Sequence, residues 1–177
     1  MTAKSTPPLQ ITPLERRFEM GWFKSGEIGA TVESNGEFRV TGKLSYEVVK
    51  QKGLFDCGAA CLTALLRYHG LSIYSKQLNL YSKGFGFTLY ELLQGAQRFG
   101  FKGSVYQASD LKSLLFPCIV PMRFLGFRHY WLVYESRGET LLVMDPALGK
   151  IAVVRKKMFV ALWSGIFMIV RQEEAHA

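Results

Sequence analysis

A cysteine at position 57 stands where the polar segment QKGLFD gives way to the apolar segment CGAACLTALLRYHG. Apolar residues recur in the second segment at intervals of three and four, which predicts a helix that begins at Cys57 and ends at Gly70. A thiol at a helix N-terminus meets the positive end of the helix dipole and unpaired backbone N–H groups, and both stabilise a thiolate. Cys57 is therefore a candidate nucleophile; a small core residue is the alternative.

A nucleophilic thiol needs a base, and the sequence contains three histidines. His176 lies next to the C-terminus. His69 ends the helix that Cys57 begins, about 18 Å away at 1.5 Å per residue, and cannot reach the thiol. His129 lies inside the predicted strand RHYWLVYE, where alternation places it on the same face as Trp131. We therefore expect His129 to be the base; the alternative is a hydrogen-bonded core histidine.

The next predicted strand, TLLVMD, brings a carboxylate towards this histidine. If residues 136–138 form a three-residue hairpin loop, paired residue numbers add to 274 and Asp145 faces His129. Directly opposite side chains have Cβ atoms about 5 Å apart, so the carboxylate can bond one imidazole nitrogen and leave the other for the thiol. The sequence thus predicts a Cys-His-Asp triad. The alternative for Asp145 is an ordinary turn residue of DPALG.

Gln51 lies six positions before Cys57. Acyl transfer to a thiolate builds negative charge on the carbonyl oxygen, which needs hydrogen-bond donors. The Gln51 amide and the backbone N–H of Cys57 could form such an oxyanion hole, which is worth about 3 kcal/mol. The alternative is an exposed polar residue before a helix.

The other two cysteines, Cys61 and Cys118, are interpreted as core residues. A metal site of Cys57, Cys61 and His69 is disfavoured, because His69 lies about 120° round the helix from the cysteines and far along its axis. The glycine-containing turns match no phosphate-binding loop. We therefore expect neither a metal nor a cofactor. The odd number of cysteines also argues against a disulfide framework and fits a reducing compartment.

Length and composition limit the classes of protein that remain. The 177 residues fit one main domain, and 49% of them are hydrophobic, as in a packed globule. The net charge is +8, but no zinc-finger spacing or basic run with aromatic residues is present, so nucleic-acid binding is disfavoured. No secretory signal is recognisable, and the apolar run MFVALWSGIFMIV is shorter than the roughly 20 residues of a transmembrane helix. We expect a cytoplasmic protein without a transmembrane segment.

Three regions are predicted along the chain. Residues 1–44 form an N-terminal extension with a β-hairpin at Asn35 and Gly36, residues 45–172 form the main domain, and residues 173–177 form a tail. Within the main domain a second helix begins at Thr88, where TLYE supplies a capping box. Several β-rich runs follow. Helices packed on an antiparallel sheet make this an α+β fold.

The motifs QKGLFDCGAACLTALLRYHG, HYWLVY and DPALGK resemble, in this order, those of papain-like cysteine peptidases that remove double-glycine leaders from bacteriocins. The likeness extends over about residues 45–171 and includes GFTLYELLQGAQRFGF, which is similar to the second helix of the family. It implies that Cys57 is the nucleophile, His129 the general base and acid, Asp145 the residue that orients His129, and Gln51 the oxyanion donor. The implied fold is that of the papain-like peptidases.

The resemblance also implies a function. We expect a cysteine endopeptidase that cleaves a precursor or leader peptide after a pair of small residues, usually Gly-Gly. Most family members lie at the N-terminus of an ABC transporter. We expect this chain to be a free-standing member that works with export or transport machinery. Alternatives are a catalytically idle module that binds or escorts a leader or pilin-like precursor, and a transferase or effector protease with the same triad.

Overall fold

A computed structural model gives the structure of five stretches of the chain. They are residues 30–32, 38–40, 46–78, 86–124 and 127–172. The chain divides into two compact units, residues 1–44 and residues 45–177. In the first unit, strands β1 (Ala30–Val32) and β2 (Phe38–Val40) pair antiparallel. The turn predicted at Asn35 and Gly36 lies outside the described residues.

The second unit contains three α-helices and six strands among its described residues. In chain order they are α1 (Cys57–Tyr68), α2 (Leu89–Gln97), β3 (Phe101–Gln107), β4 (Cys118–Phe124), β5 (Phe127–Arg137), β6 (Thr140–Asp145), β7 (Lys150–Arg155), α3 (Lys156–Leu162) and β8 (Ile166–Gln172). This arrangement confirms the predicted α+β class.

Helix α1 begins at Cys57, as the apolar pattern predicts, and every residue from Cys57 to Leu66 is buried. The helix packs against β5 and α2, so its first three turns are enclosed almost all round. Burying a leucine such as Leu62 contributes roughly 2 kcal/mol, and packing therefore fixes this helix more than helix propensity does. The predicted stop is also present, because Gly70 adopts a φ of +89° just after the helix.

Helix α2 begins with the predicted capping box. The Thr88 hydroxyl accepts a hydrogen bond from the Glu91 N–H, and the Glu91 carboxylate accepts one from the Thr88 N–H at 2.7 Å. Two of the otherwise unpaired donors at the helix start are satisfied in this way. The cap fixes the point at which the chain enters α2, next to the helix that carries Cys57.

The six strands form one antiparallel sheet in the order β3-β8-β4-β5-β6-β7. Alternation along β5 separates two cores. Tyr130 and Leu132 lie in the core shared with α1 and α2, whereas Trp131 and Val133 lie in the core that contains Phe159 of α3. The predicted alternation of this strand is therefore confirmed.

The predicted register of the β5–β6 hairpin is wrong. Arg137 pairs with Thr140, so the loop is the two residues 138–139 and not the three residues 136–138. A β-bulge then shifts the pairing between Val133 and Glu135, after which Leu132 faces Met144. Continued by one pair, this register sets Asp145 opposite Trp131 and diagonal to His129. The bulge adds a residue to one strand only, which a sequence pattern of period two does not reveal.

No helix within the described residues is long and apolar enough to span a membrane. The same residues contain no group of three or more His, Cys, Asp or Glu side chains that could hold a metal ion.

Candidate active site

Helix α1 begins at Cys57 without a side-chain cap at its N-terminus. Asp56, at the N-cap position, makes no side-chain capping hydrogen bond, and its carboxylate accepts the Gly53 N–H at 2.9 Å instead. The Asp56 carbonyl accepts the Ala60 N–H at 2.9 Å and so starts the helical ladder. Because a helix leaves its first N–H groups unpaired, donors near Cys57 stay available for an anionic oxygen or sulfur.

Gly58 allows this turn to lie close to the sheet. A Cβ atom at Gly58 would be 3.2 Å from Cδ2 of Tyr130 and 3.3 Å from Cδ1 of Leu92, closer than most real contacts. A glycine therefore lets the start of α1 approach the strand that carries His129. Cys57, one residue earlier, is 5% exposed.

His129 lies between a carboxylate and the thiol. Its Nε2 atom is 3.0 Å from Oδ1 of Asp145, and Cys57 is near enough to raise the pKa of the imidazole. Since Asp145 occupies Nε2, the nitrogen that remains for the thiol is Nδ1. The structure therefore brings Cys57, His129 and Asp145 together in the order that the sequence predicted, through a diagonal contact across the sheet and not a direct pair.

Asp145 also begins the turn that follows β6. The same Oδ1 atom accepts the Ala147 N–H at 2.9 Å, and the Asp145 carbonyl accepts the Gly149 N–H at 2.8 Å. The turn after β6 thus fixes the carboxylate that meets His129. Both side chains are largely buried, with 16% of His129 and 13% of Asp145 exposed.

His129 and Asp145 shift each other's pKa. Burial alone lowers the pKa of His129, but hydrogen bonds to Asp145 and to Cys57, together with their charges, raise the pKa of His129 to about 9. Burial raises the pKa of Asp145, but hydrogen bonds from His129 and from the Ala147 N–H outweigh it and hold this pKa below its ordinary value. At neutral pH the pair is therefore an imidazolium and a carboxylate.

Gln51 lies beside the turn that holds Asp145. Its backbone N–H donates to the Pro146 carbonyl at 2.9 Å, and its side-chain Nε2 donates to the Gly53 carbonyl at 2.9 Å. Its Oε1 atom is buried without a hydrogen-bond partner among the described residues. An amide has two N–H donors, so one donor of Gln51 is left after the bond to Gly53.

Tyr130 is a residue of this site that the sequence reasoning missed. Its hydroxyl donates to the Phe87 carbonyl at 2.8 Å, and its own carbonyl accepts the Cys61 thiol at 3.4 Å. It thereby connects the strand of His129 to α1 and to the segment that leads into α2. A tyrosine next to the candidate base in a buried strand was the available signal, because a buried phenol needs a hydrogen-bond partner.

The two remaining thiols lie in the core, and His69 is half-buried. Cys61 and Cys118 are 0% exposed, and burial raises the pKa of both thiols, with the nearby Cys57 adding to the effect on Cys61. The His69 ring packs against Tyr68 and Phe101, and burial lowers its pKa.

Thiol labelling separates the three cysteines. We expect iodoacetamide to modify Cys57 well before Cys61 or Cys118 in the folded protein, because the two buried thiols resist ionisation and reagent access. Tryptic mass spectrometry over a time course would measure the order of labelling. Equal, slow modification of all three would contradict the assignment of Cys57 as the reactive thiol.

Comparison with known proteins identifies the second unit. The profile of the Peptidase C39 family matches residues 45–175. The prophage-derived sublancin-168-processing and transport ATP-binding protein SunT of Bacillus subtilis is 28% identical over 138 residues, which cover 74% of this chain and 20% of SunT. FapD of Pseudomonas aeruginosa, named as a probable functional amyloid protease, is 27% identical, and the match covers 70% of this chain and 60% of FapD.

Solved structures agree with the profile. The peptidase domain of Streptococcus ComA, a bifunctional ABC transporter of a quorum-sensing pathway, superposes with a TM-score of 0.67 at 26% identity, over 73% of this chain and all of that domain. This likeness confirms the predicted peptidase fold. The match spans about a fifth of the length of SunT and about three fifths of FapD. By its sequence over residues 45–175 and by its fold, the chain belongs to the Peptidase C39 family.

Proposed function

We propose that the protein is a cysteine endopeptidase that cleaves a precursor peptide after a pair of small residues of the Gly-Gly type. The observation that carries the proposal is the hydrogen bond between His129 and Asp145 beside Cys57, whose proximity also raises the pKa of His129. Membership of a peptidase family supports the reaction class. The proposed roles are nucleophile for Cys57, general acid and base for His129, and orienting partner for Asp145.

The proposed acylation step uses both nitrogens of His129. The Cys57 thiolate attacks the carbonyl carbon of the second small residue, and the carbonyl electron pair moves to oxygen. As the C–N bond breaks, His129 gives its Nδ1 proton to the leaving amine, which becomes a new N-terminus. A thioester at Cys57 and a neutral His129 remain. Asp145 holds Nε2 throughout and keeps the ring in one orientation.

Hydrolysis of the thioester restores the site. Neutral His129 takes a proton from a water molecule as the water oxygen attacks the thioester carbon. The C–S bond then breaks, and the leader leaves as a carboxylic acid while the thiolate and imidazolium form again. Since the pKa of His129 is about 9, the imidazolium is the resting form of this ring at neutral pH.

Gln51 supplies the second donor of the proposed oxyanion hole, beside the Cys57 N–H. Gln51→Ala is expected to lower kcat about a hundredfold or more, because a neutral donor aimed at the developing oxyanion is lost. Gln94→Ala, an exposed glutamine of α2, provides the matched control and should leave kcat unchanged. Steady-state rates with an unchanged melting temperature would measure the effect. An unaltered kcat in Gln51→Ala would remove Gln51 from the site.

Removing the charge of Asp145 should change the pH dependence of kcat/KM. Asp145→Asn keeps an acceptor oxygen for Nε2 but removes the carboxylate that raises the pKa of His129. His129 then loses its proton at lower pH, so the alkaline limb of the kcat/KM profile moves to lower pH and activity at neutral pH falls roughly ten- to a hundredfold.

Asp110→Asn is the control for this variant, since the Asp110 carboxylate also accepts a backbone N–H in a turn but belongs to another part of the fold. Its pH profile should equal that of the parent protein. An alkaline limb at the same pH in Asp145→Asn and in the parent would contradict the proposed coupling.

The class of substrate follows from the relatives. SunT and LagD of Lactococcus lactis are named as processing and transport proteins for the peptides sublancin-168 and lactococcin G. We propose a secreted-peptide precursor as the substrate and a transport machine as a partner. A second candidate substrate is the precursor of a functional amyloid, because the match covers a larger share of FapD than of SunT.

Synthetic precursors test the proposal directly. The full chain is incubated with a peptide that contains Gly-Gly and with the same peptide carrying Val-Val, and both products are identified by mass spectrometry. We expect cleavage after Gly-Gly only. Tight binding of the Gly-Gly peptide without product would favour an idle escort module, and cleavage limited to unrelated folded proteins would favour an effector protease.

A further inference from the structure

Two arginines face each other at the tip of the β4–β5 hairpin. Arg123 and Arg128 are direct partners in the register, and both side chains are exposed. The adjacent pair on one side is Met122 with His129. Within the part of the chain that the structure describes, neither guanidinium forms an ion pair or a side-chain hydrogen bond. Two positive charges therefore stand together one residue from the candidate base.

This pairing is unfavourable for the hairpin itself. Like charges directly opposite each other on neighbouring strands repel, and β-sheets usually place opposite charges or apolar pairs there. Sequences break such local rules mainly at functional positions. A guanidinium presents a planar fork of N–H donors that matches a carboxylate, so an anionic group between the two side chains would remove the repulsion.

The pair lies on the same face of the sheet as Tyr130, which is the face that α1 covers. Alternation puts Arg128 on the same face as Tyr130. The positive charge of Arg128 works to lower the pKa of the Tyr130 phenol, against burial, which raises it. The Tyr130 ring in turn lies against Gly58 in the first turn of α1. A peptide whose scissile carbonyl reaches Cys57 therefore has residues close to this face of the hairpin.

We propose that Arg123 and Arg128 form a carboxylate-binding site that selects precursors with an acidic side chain within a few residues of the scissile bond. The inference rests on the proposed peptidase function. It adds a charge requirement to the small-residue pair. The net charge of +8 favours the approach of such an acidic segment.

A peptide set with blocked termini tests this site. Each peptide contains Gly-Gly and one glutamate, placed in turn at each of the four positions on either side, and each is paired with a glutamine version. Acetylated and amidated ends remove terminal carboxylates as a competing source. At one position or more we expect the glutamate peptide to show at least a tenfold higher kcat/KM, mainly through KM, and this preference should shrink as salt rises.

Variants locate the preference. Arg123→Gln and Arg128→Gln should each reduce the ratio of kcat/KM between the glutamate and glutamine peptides several-fold, and the double variant should abolish this preference. Arg155→Gln, an exposed arginine at the start of α3, is the matched control and should keep the preference.

Binding separates this inference from the peptidase proposal. Fluorescence anisotropy with Cys57→Ala measures the affinity for the same peptides without turnover. Preferential binding of glutamate peptides that depends on the two arginines, with no cleavage by the parent protein, would support the carboxylate site and contradict the peptidase function. Equal binding and equal cleavage of the glutamate and glutamine peptides at every position would overturn the carboxylate site.

Discussion

Cys57→Ala is expected to lower cleavage of a Gly-Gly precursor by roughly 10⁴-fold or more, to the limit of detection. The variant removes the sulfur atom that would form the thioester. Neither of the other two thiols can replace it, because Cys61 and Cys118 are fully buried. Alanine is smaller than cysteine and fits the first turn of α1. The fold and peptide affinity should therefore persist, as melting temperature and anisotropy would measure.

Cys118→Ala is the matched control, because it removes a buried thiol from the core on the other face of the sheet. It should lower the melting temperature and keep turnover. Substantial activity in Cys57→Ala, or loss of activity in a folded Cys118→Ala, would contradict the assignment of Cys57 as nucleophile.

His129→Ala is expected to reduce cleavage by roughly 10³- to 10⁴-fold and to remove the selective labelling of Cys57. The substitution takes away the proton donor for the leaving amine. It also takes away the cation beside Cys57. Single-turnover rates measure the loss of cleavage, and the iodoacetamide time course independently measures the loss of selective Cys57 labelling. If one imidazole serves both roles, cleavage and selective labelling should be lost together.

His69→Ala provides the comparison for His129→Ala. His69 is also partly buried and packs on aromatic rings, but it lies beyond the far end of α1 from Cys57. We expect a less stable protein with parental kcat and parental labelling. A folded His129→Ala variant that cleaves like His69→Ala would show that another group acts as the base.

The sequence predicted those parts of the fold that local patterns determine. The start of α1 follows from the change in apolar periodicity at Cys57, and the start of α2 follows from the Thr88 and Glu91 pair, whose hydrogen bonds involve only neighbours in the chain. The alternation of β5 predicted which residues share a face, because the side-chain period of a strand is fixed by its backbone.

The register of the β5–β6 hairpin could not be derived in the same way. The three-residue loop required Gly138 to end the turn, whereas Gly138 takes its positive φ of +51° inside a two-residue loop. That change alone would have moved Asp145 away from His129. The bulge between Val133 and Glu135 reverses part of this change in register. Asp145 is then diagonal to His129, and the two side chains are still close enough to form a hydrogen bond.

Other features of the site depend on contacts between distant parts of the chain. Tyr130 meets the Phe87 carbonyl 43 residues away, and Gly58 is required by the closeness of Leu92 and Tyr130. The bond from the Gln51 backbone N–H to the Pro146 carbonyl likewise joins distant parts of the chain. Such contacts become visible only when helices and strands have been assembled.

One oxygen of Asp145 serves both the imidazole and the backbone of the following turn. The position of the carboxylate against His129 is therefore tied to the length of a short surface connection. Inserting a single residue between Pro146 and Lys150 would rotate the carboxylate away while every reactive side chain stayed in the sequence. The contact between His129 and Asp145 thus depends on the spacing of that connection as much as on the acidic residue itself.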